Sequence, residues 1–144
     1  METVEQPGGR RKAYRPLAPE RRQAAAETAL AAYRRGDWFL AHELLEPAWM
    51  GTADLAEREL YQGLIKLAAA HVHQVRGNPN GVLKNLLGAD EHLARADPTG
   101  RSTCTMLDLD LPALRLAVAN QVADLKAGRA LETLAPIDLP RPPA

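Results

Sequence analysis

The 144-residue chain is short of the residues that many reactive or exported proteins use. It has one cysteine, Cys104, and one serine, Ser102. A lone cysteine excludes an intramolecular disulfide, and without a secretory segment at the N-terminus we expect a cytoplasmic protein. No base stands beside Cys104 and no glycine-rich turn surrounds Ser102. The sequence therefore gives no support to a cysteine or serine nucleophile.

Charge of one sign and long apolar runs are also missing. Eighteen basic residues balance eighteen acidic ones, which removes the usual electrostatic reason to expect nucleic acid or an anionic membrane as a partner. No run of about twenty apolar residues exists, so a membrane span is not predicted. With 46% apolar and 25% charged residues, the composition is that of one ordinary globular domain.

Helical periodicity extends through most of the chain, and no segment alternates convincingly as a strand would. Glycine and proline divide the pattern, and Asp37, Asn78 and Asp110 are suitable N-caps. The predicted helices cover about residues 19–35, 38–50, 55–76, 79–96 and 111–127. The fold class is therefore predicted to be all-α.

The predicted bundle occupies residues 18–130, between two segments without helical pattern. Residues 1–17, with Arg10-Arg11-Lys12, are expected to form a flexible basic arm. Residues 131–144 are rich in proline, cannot continue a helix and are expected to form a tail. The triplets Arg35-Gly36-Asp37 and Arg76-Gly77-Asn78 resemble an internal repeat. They predict a single domain of two helical hairpins side by side, followed by a C-terminal helix.

The second predicted helix carries unusual polar groups on a face that should be buried. His42 and Glu46 are one turn apart, and Trp38 and Trp49 flank them. Buried polar groups need partners. The third helix offers Gln62, Lys66 and His73 on one face, whereas His71 is expected on the opposite side. The predicted polar cluster, with Trp38 and Trp49 as its apolar walls, consists of His42, Glu43, Glu46, Gln62, Lys66 and His73.

The order of these motifs resembles one known family. The motifs are Gly36-Asp37, His42-Glu43-x-x-Glu46-x-x-Trp49, Tyr61-Gln62-Gly63-Leu64-Ile65, His73 and Gly77-Asn78. Together they are similar to an uncharacterised family of bacterial and archaeal proteins, domain of unknown function 309, over about residues 27–96. The resemblance implies a helical bundle and no particular activity. The family's hallmark positions correspond here to His42, Glu43, Glu46, Trp49, Gln62, Gly63 and His73.

The chain departs from the family pattern at two positions. Lys66 stands where relatives often have a second glutamine, and Pro47 replaces an ordinary helix former. A lysine beside Glu46 would neutralise its carboxylate and compete with a cation. The departure at Lys66 therefore argues against a metal in this member.

Several functions remain open from the sequence. We expect a non-enzymatic binding or scaffold module in which the polar cluster is a structural network and no cofactor is needed. The alternative is a divalent transition-metal site formed by His42, Glu46 and His73, with metal-dependent hydrolysis as a further step. A groove beside Trp38 and Trp49 would take a protein or small ligand, and an apolar helix face would support a homodimer. A metal-free acid–base enzyme is the remaining alternative.

Overall fold

A computed structural model describes residues 2–6, 10–97, 103–104 and 107–143. Within these ranges the chain forms five α-helices: α1 (Pro19–Arg34), α2 (Trp38–Met50), α3 (Leu55–Val75), α4 (Pro79–Ala96) and α5 (Leu111–Lys126). Each predicted helix is confirmed with closely similar bounds. None of the described helices combines the length and apolar character that crossing a membrane requires.

Short polar side chains set the starts of three helices. The side chain of Asn78 accepts a hydrogen bond from the N–H of Gly81 at 3.1 Å, and Asp54 accepts one from Glu57 at 2.8 Å. Asp110 caps α5 in the same way. These bonds satisfy N–H groups that have no partner within the helix. Asp37 precedes α2 as predicted, but its side chain makes no capping bond.

The two glycine turns that suggested a repeat have the same local geometry. Gly36 and Gly77 have positive φ angles of 84° and 71°. The next residue in each turn donates its N–H to the carbonyl oxygen of the fifth residue before it, at 2.9 Å for Asp37 and 3.0 Å for Asn78. This is the arrangement of a glycine-terminated helix. It folds α1 against α2 and α3 against α4 as two hairpins.

The helices pack in chain order, with α3 as the central element. α3 contacts both α2 and α4, and α5 packs on α4. Leucine and alanine supply most of the buried side chains. At Gly63 of α3, an added Cβ would lie only 2.8 Å from the side chain of Leu93 on α4. The small residue therefore allows α3 and α4 to pack closely.

The predicted all-α class is confirmed, and the structure adds two pairs of short strands that the sequence pattern did not indicate. β1 (Glu2–Gln6) pairs antiparallel with β2 (Arg10–Tyr14), and β3 (Thr103–Cys104) with β4 (Leu109–Asp110). Backbone pairing needs little side-chain alternation when a strand is this short, so the sequence pattern was uninformative. The predicted flexible arm is also attached to the bundle, because Arg15 and Leu17 donate their N–H groups to the carbonyls at the end of α2. Residues 7–9 and Ser102 lie outside the described ranges.

Glu57, in the first turn of α3, joins several elements. It accepts hydrogen bonds from Nε and Nη2 of Arg22 at 2.7 and 3.3 Å, from the Thr52 hydroxyl at 3.1 Å and from the Tyr61 hydroxyl at 2.8 Å. Arg22 also donates to the carbonyl of Leu17. The bonded carboxylate raises the pKa of Arg22. Glu57 thereby connects α1, the turn before α3 and α3 itself.

Residues 129–143, which we call the C-terminal segment, follow the outside of the bundle. The segment begins with a short 3-10 turn, Leu131–Thr133, and then contains no helix up to residue 143. The sequence correctly excluded an α-helix here but predicted a tail. Instead, Leu134, Ile137 and Leu139 are buried. These apolar side chains give an extended segment enough contact area to pack on the helices.

Candidate functional site

Four helical side chains hold the C-terminal segment through its main chain. They come from α1, α3 and α5 and form what we call the C-terminal groove: Tyr33, Arg34, Gln74 and Gln121. Each donates to at least one carbonyl oxygen of the segment. Such bonds recognise an extended backbone without depending on the side chains of the residues that are bound.

Gln74 occupies the central place in this groove. Its side-chain amide nitrogen donates to the carbonyl oxygens of Leu131 at 3.0 Å and Leu134 at 2.9 Å. Gln121, on α5, donates to the carbonyl of Ala135 at 2.9 Å. The two glutamines therefore bind neighbouring parts of the segment from two different helices, α3 and α5.

A buried histidine lies behind the segment. His71 is 2% exposed, and its Nε2 is 2.8 Å from the Tyr33 hydroxyl and 3.4 Å from the amide nitrogen of Ile137. The same hydroxyl donates to the carbonyl oxygen of Ile137 at 2.6 Å. On the other side of the ring, Nδ1 is 3.3 Å from the side-chain oxygen of Gln74. His71 thus connects Tyr33 and Gln74, two of the four residues that bind the segment's backbone.

The hydrogen-bond pattern defines the protonation of His71. The amide nitrogen of Gln74 is directed at the segment, so its oxygen faces the imidazole and requires a proton on Nδ1. Nε2 is then available as the acceptor for the N–H of Ile137, whereas the proton of the Tyr33 hydroxyl is donated to the carbonyl oxygen of Ile137. Burial lowers the pKa of His71, against a smaller opposing effect of the Gln74 hydrogen bond. The neutral ring is therefore the form that fits the groove.

The depressed pKa of His71 predicts a pH-dependent stability. The unfolded chain takes up a proton near the ordinary pKa of 6.5, whereas the folded chain resists it. The contribution of neutral His71 to the stability of the folded chain is therefore complete above that pH. It declines as the pH falls towards the folded-state pKa of His71. We expect the free energy of urea unfolding to drop between about pH 7.5 and 5. The unfolding free energy of the His71→Gln variant should drop less over this range. Equal slopes of unfolding free energy against pH for both proteins would contradict the prediction.

Trp38 forms the aromatic wall of the site. Its indole stacks on His71, with ring centroids 4.4 Å apart and an angle of 27° between the planes. Tyr33 meets the same indole edge-on at 4.8 Å. Because this aromatic group connects α1, α2 and α3, it holds the ends of three helices in fixed relation.

Two open cavities lie beside the segment, and both are lined by Trp38 and Pro136. The larger, of about 610 Å³, lies beside His71, Gln74 and Leu131. The other, of about 460 Å³, lies beside Tyr33, Arg34 and Ile137. The groove is therefore only partly filled by the C-terminal segment. Trp38 is one of the two residues, with Trp49, that the sequence predicted as walls of a groove.

Trp49, the other expected wall, has a different environment. The guanidinium of Arg58 lies over its ring, 4.6 Å from the centroid. Burial lowers the pKa of Arg58, and the neighbouring Glu59 opposes that effect. The Trp49 indole nitrogen is buried and has no hydrogen-bond partner in the described part of the chain. Trp49 and Trp38 thus belong to separate sites.

The predicted polar cluster is divided in the structure. His42, Glu43 and Glu46 remain together on α2, and Nδ1 of His42 is 3.2 Å from Oε1 of Glu43. His73 instead lies at the end of α3, where its Nδ1 is 3.3 Å from the side-chain nitrogen of Asn78. His73 is therefore not grouped with His42 and Glu46, as the expected ligand set required.

Gln62 and Lys66 also do not take part in the network that the sequence predicted. Neither has a hydrogen bond or ion pair with another described residue. The Lys66 side chain lies along α4, 3.6 Å from the position that a Cβ would have on Gly88. The physical reason is that α3 packs on two helices, and its polar face was assigned to α2 when part of it faces α4.

His71 was missed although the sequence contained a signal for it. Leu64, Leu67, Ala68 and His71 fall at successive helical spacings, so the histidine belongs to the apolar stripe of α3. All four are buried. A histidine on a core-facing stripe requires hydrogen-bond partners, but those partners come from distant parts of the chain.

Comparison with known proteins identifies one family. Residues 26–85 match the model described as Domain of unknown function (DUF309). No curated protein and no solved structure matches the chain. The matched region contains Tyr33, Arg34, Trp38, His71 and Gln74, whereas the C-terminal segment lies outside it.

Proposed function

We propose that the chain is a non-enzymatic module that binds an extended peptide segment in the groove, which is built mainly by residues 26–85, the region that matches the DUF309 family. The C-terminal segment is the ligand that the groove holds in this chain. A segment of another protein is the partner that could replace it. The balanced charge of the chain favours a protein partner over nucleic acid or an anionic membrane.

One observation carries the proposal: helical side chains bind the carbonyl oxygens of a segment that has no α-helix. Tyr33 and Gln74 together donate to three of these oxygens. Since carbonyl oxygens are common to all peptides, these donors are suited to any extended chain of matching shape. The apolar sites filled by Leu134 and Ile137 would provide selectivity.

The position of the ligand relative to the family region gives further support. Three of the four groove donors, Tyr33, Arg34 and Gln74, lie within the matched residues, and the segment does not. The binding surface therefore belongs mainly to the family domain. Its ligand here comes from an appended piece of chain, which is the arrangement expected when a module binds a segment in cis.

The proposal predicts that an emptied groove binds the segment as a separate peptide. The double variant Leu134→Asp, Ile137→Asp should release the tethered segment, because both side chains are buried. A fluorescent peptide with the sequence of residues 130–143 should then bind this variant with saturation. The wild-type chain, whose groove already holds its own C-terminal segment, should bind it at least about tenfold more weakly. Fluorescence anisotropy measures both affinities.

Matched controls make the result specific. Adding Gln74→Ala to the released variant removes two hydrogen bonds to the peptide, so its affinity should fall. A peptide carrying aspartate in place of both apolar residues should not bind. Circular dichroism verifies that each variant retains its helices. A folded released variant without affinity for the peptide would refute the proposal.

A further inference from the structure

A second group of polar side chains lies on α2, apart from the C-terminal groove. His42, Glu43 and Glu46 each offer one ligand atom, and these atoms all lie within 4.8 Å of one another. In the described part of the chain this is the one set of three histidine, cysteine or acidic residues with such spacing. It combines an imidazole nitrogen with two carboxylate oxygens.

Among the residues whose side chains the structure describes, none neutralises the negative charge of this group. Among the described residues, no lysine or arginine forms an ion pair with Glu43 or Glu46. Glu46 is half-buried and has no hydrogen-bond partner among the described residues, and the one hydrogen-bond partner of Glu43 there is His42. Lys66, the cation expected beside Glu46, lies along α4. Two carboxylates that share one imidazole are an environment that favours a bound cation.

The spacing is suitable for one metal ion after small side-chain movements. Nitrogen and oxygen ligands lie about 2.0–2.2 Å from zinc, so two ligands of the same ion are about 3–4 Å apart. The side chains of His42 and Glu43 are 28% and 51% exposed, which leaves them room to adjust. Exposure also leaves coordination positions open to water.

We propose that His42, Glu43 and Glu46 bind a single divalent transition-metal ion. The imidazole nitrogen favours zinc, cobalt or nickel over magnesium and calcium, which prefer oxygen ligands alone. This set replaces His73 of the sequence-based ligand set with Glu43. The site does not depend on the peptide-binding groove, because its ligands all lie on α2 and none of them contacts the C-terminal segment in the described structure.

Titration of the untagged full-length chain with Zn²⁺ or Co²⁺ tests this proposal. Calorimetry should give one Zn²⁺ per chain, and excess Mg²⁺ should not displace it. Bound Co²⁺ should show visible absorption that differs from that of the aqueous ion. His42→Gln and Glu46→Gln should each weaken Zn²⁺ binding at least about tenfold, since each removes one of three ligands.

A histidine outside the group supplies the control. His73→Gln should leave Zn²⁺ affinity unchanged, because His73 lies beside Asn78 and outside the group. Glu43→Gln provides another test on an exposed side chain, where misfolding is not expected, and it should also weaken binding. Absence of one-to-one binding would overturn the proposal. So would equal Zn²⁺ affinity in the wild type and in folded α2 variants, which would place the ion elsewhere.

Discussion

Ile137→Asp is expected to detach the C-terminal segment and lower the free energy of unfolding by about 2–3 kcal/mol. Ile137 is 5% exposed, and its carbonyl oxygen accepts from Tyr33. Burying a carboxylate at this position would be far more unfavourable than leaving the groove. The segment should therefore detach, and the loss is limited to the free energy with which it was bound.

Urea unfolding and limited trypsin digestion measure the two consequences. The variant should unfold at lower urea concentration, and cleavage after Arg129 should become faster because the surrounding segment is released. Asp138→Asn is the matched control, since Asp138 is adjacent but exposed. Its stability should change by less than about 0.5 kcal/mol. If Ile137→Asp behaves like this control, the segment does not contribute to the folded state.

Glu57→Ala is expected to destabilise the opposite end of the bundle by about 3 kcal/mol. The carboxylate accepts four hydrogen bonds, and its loss removes the acceptor from Arg22, Thr52 and Tyr61. The Arg22 and Glu57 side chains are only 17% and 15% exposed, so water replaces these bonds incompletely. The result is a partly buried cation without its ion-pair partner.

A double-mutant cycle in urea unfolding isolates the Arg22–Glu57 interaction. Arg22→Ala in the Glu57→Ala background should have a much smaller effect than in the wild type, with a coupling free energy of about 1.5–3 kcal/mol. Glu27→Ala is the control for loss of a charge, because Glu27 is exposed on α1. Additive effects of the two substitutions would contradict the predicted coupling between Arg22 and Glu57.

Local signals in the sequence were sufficient to predict the helices. Glycine turns at Gly36 and Gly77 and caps at Asn78 and Asp110 act within a few residues of the helix end that they define. Their effect is therefore independent of how the helices pack. The same local chemistry predicted the two hairpins correctly.

The arrangement of the candidate site could not be predicted in the same way. A helical face can be calculated from spacing, but which neighbour it meets depends on packing, and α3 has neighbours on two sides. Lys66 and His73 were therefore assigned to α2 although they lie beside α4 residues. His71 finds its partners in Tyr33 and Ile137, which are 38 and 66 residues away in the chain. No local pattern connects residues over such distances.

The C-terminal segment illustrates a related difficulty. Its prolines correctly exclude an α-helix. The sequence therefore predicted that this segment is a tail. Its packing depends on Gln74 and Gln121, which provide the hydrogen bonds that the segment's backbone cannot form internally. Only the folded bundle brings these two glutamines to one surface.

Cutting the chain between bundle and segment tests the central claim most directly. A specific protease site inserted after Gly128, where the backbone is exposed, would separate the segment without changing the groove. We predict that the cleaved segment elutes together with the bundle on size exclusion and is displaced by excess peptide of residues 130–143. A segment that separates at once from a fully helical bundle would contradict the account, because the groove would then have no affinity for the peptide it holds.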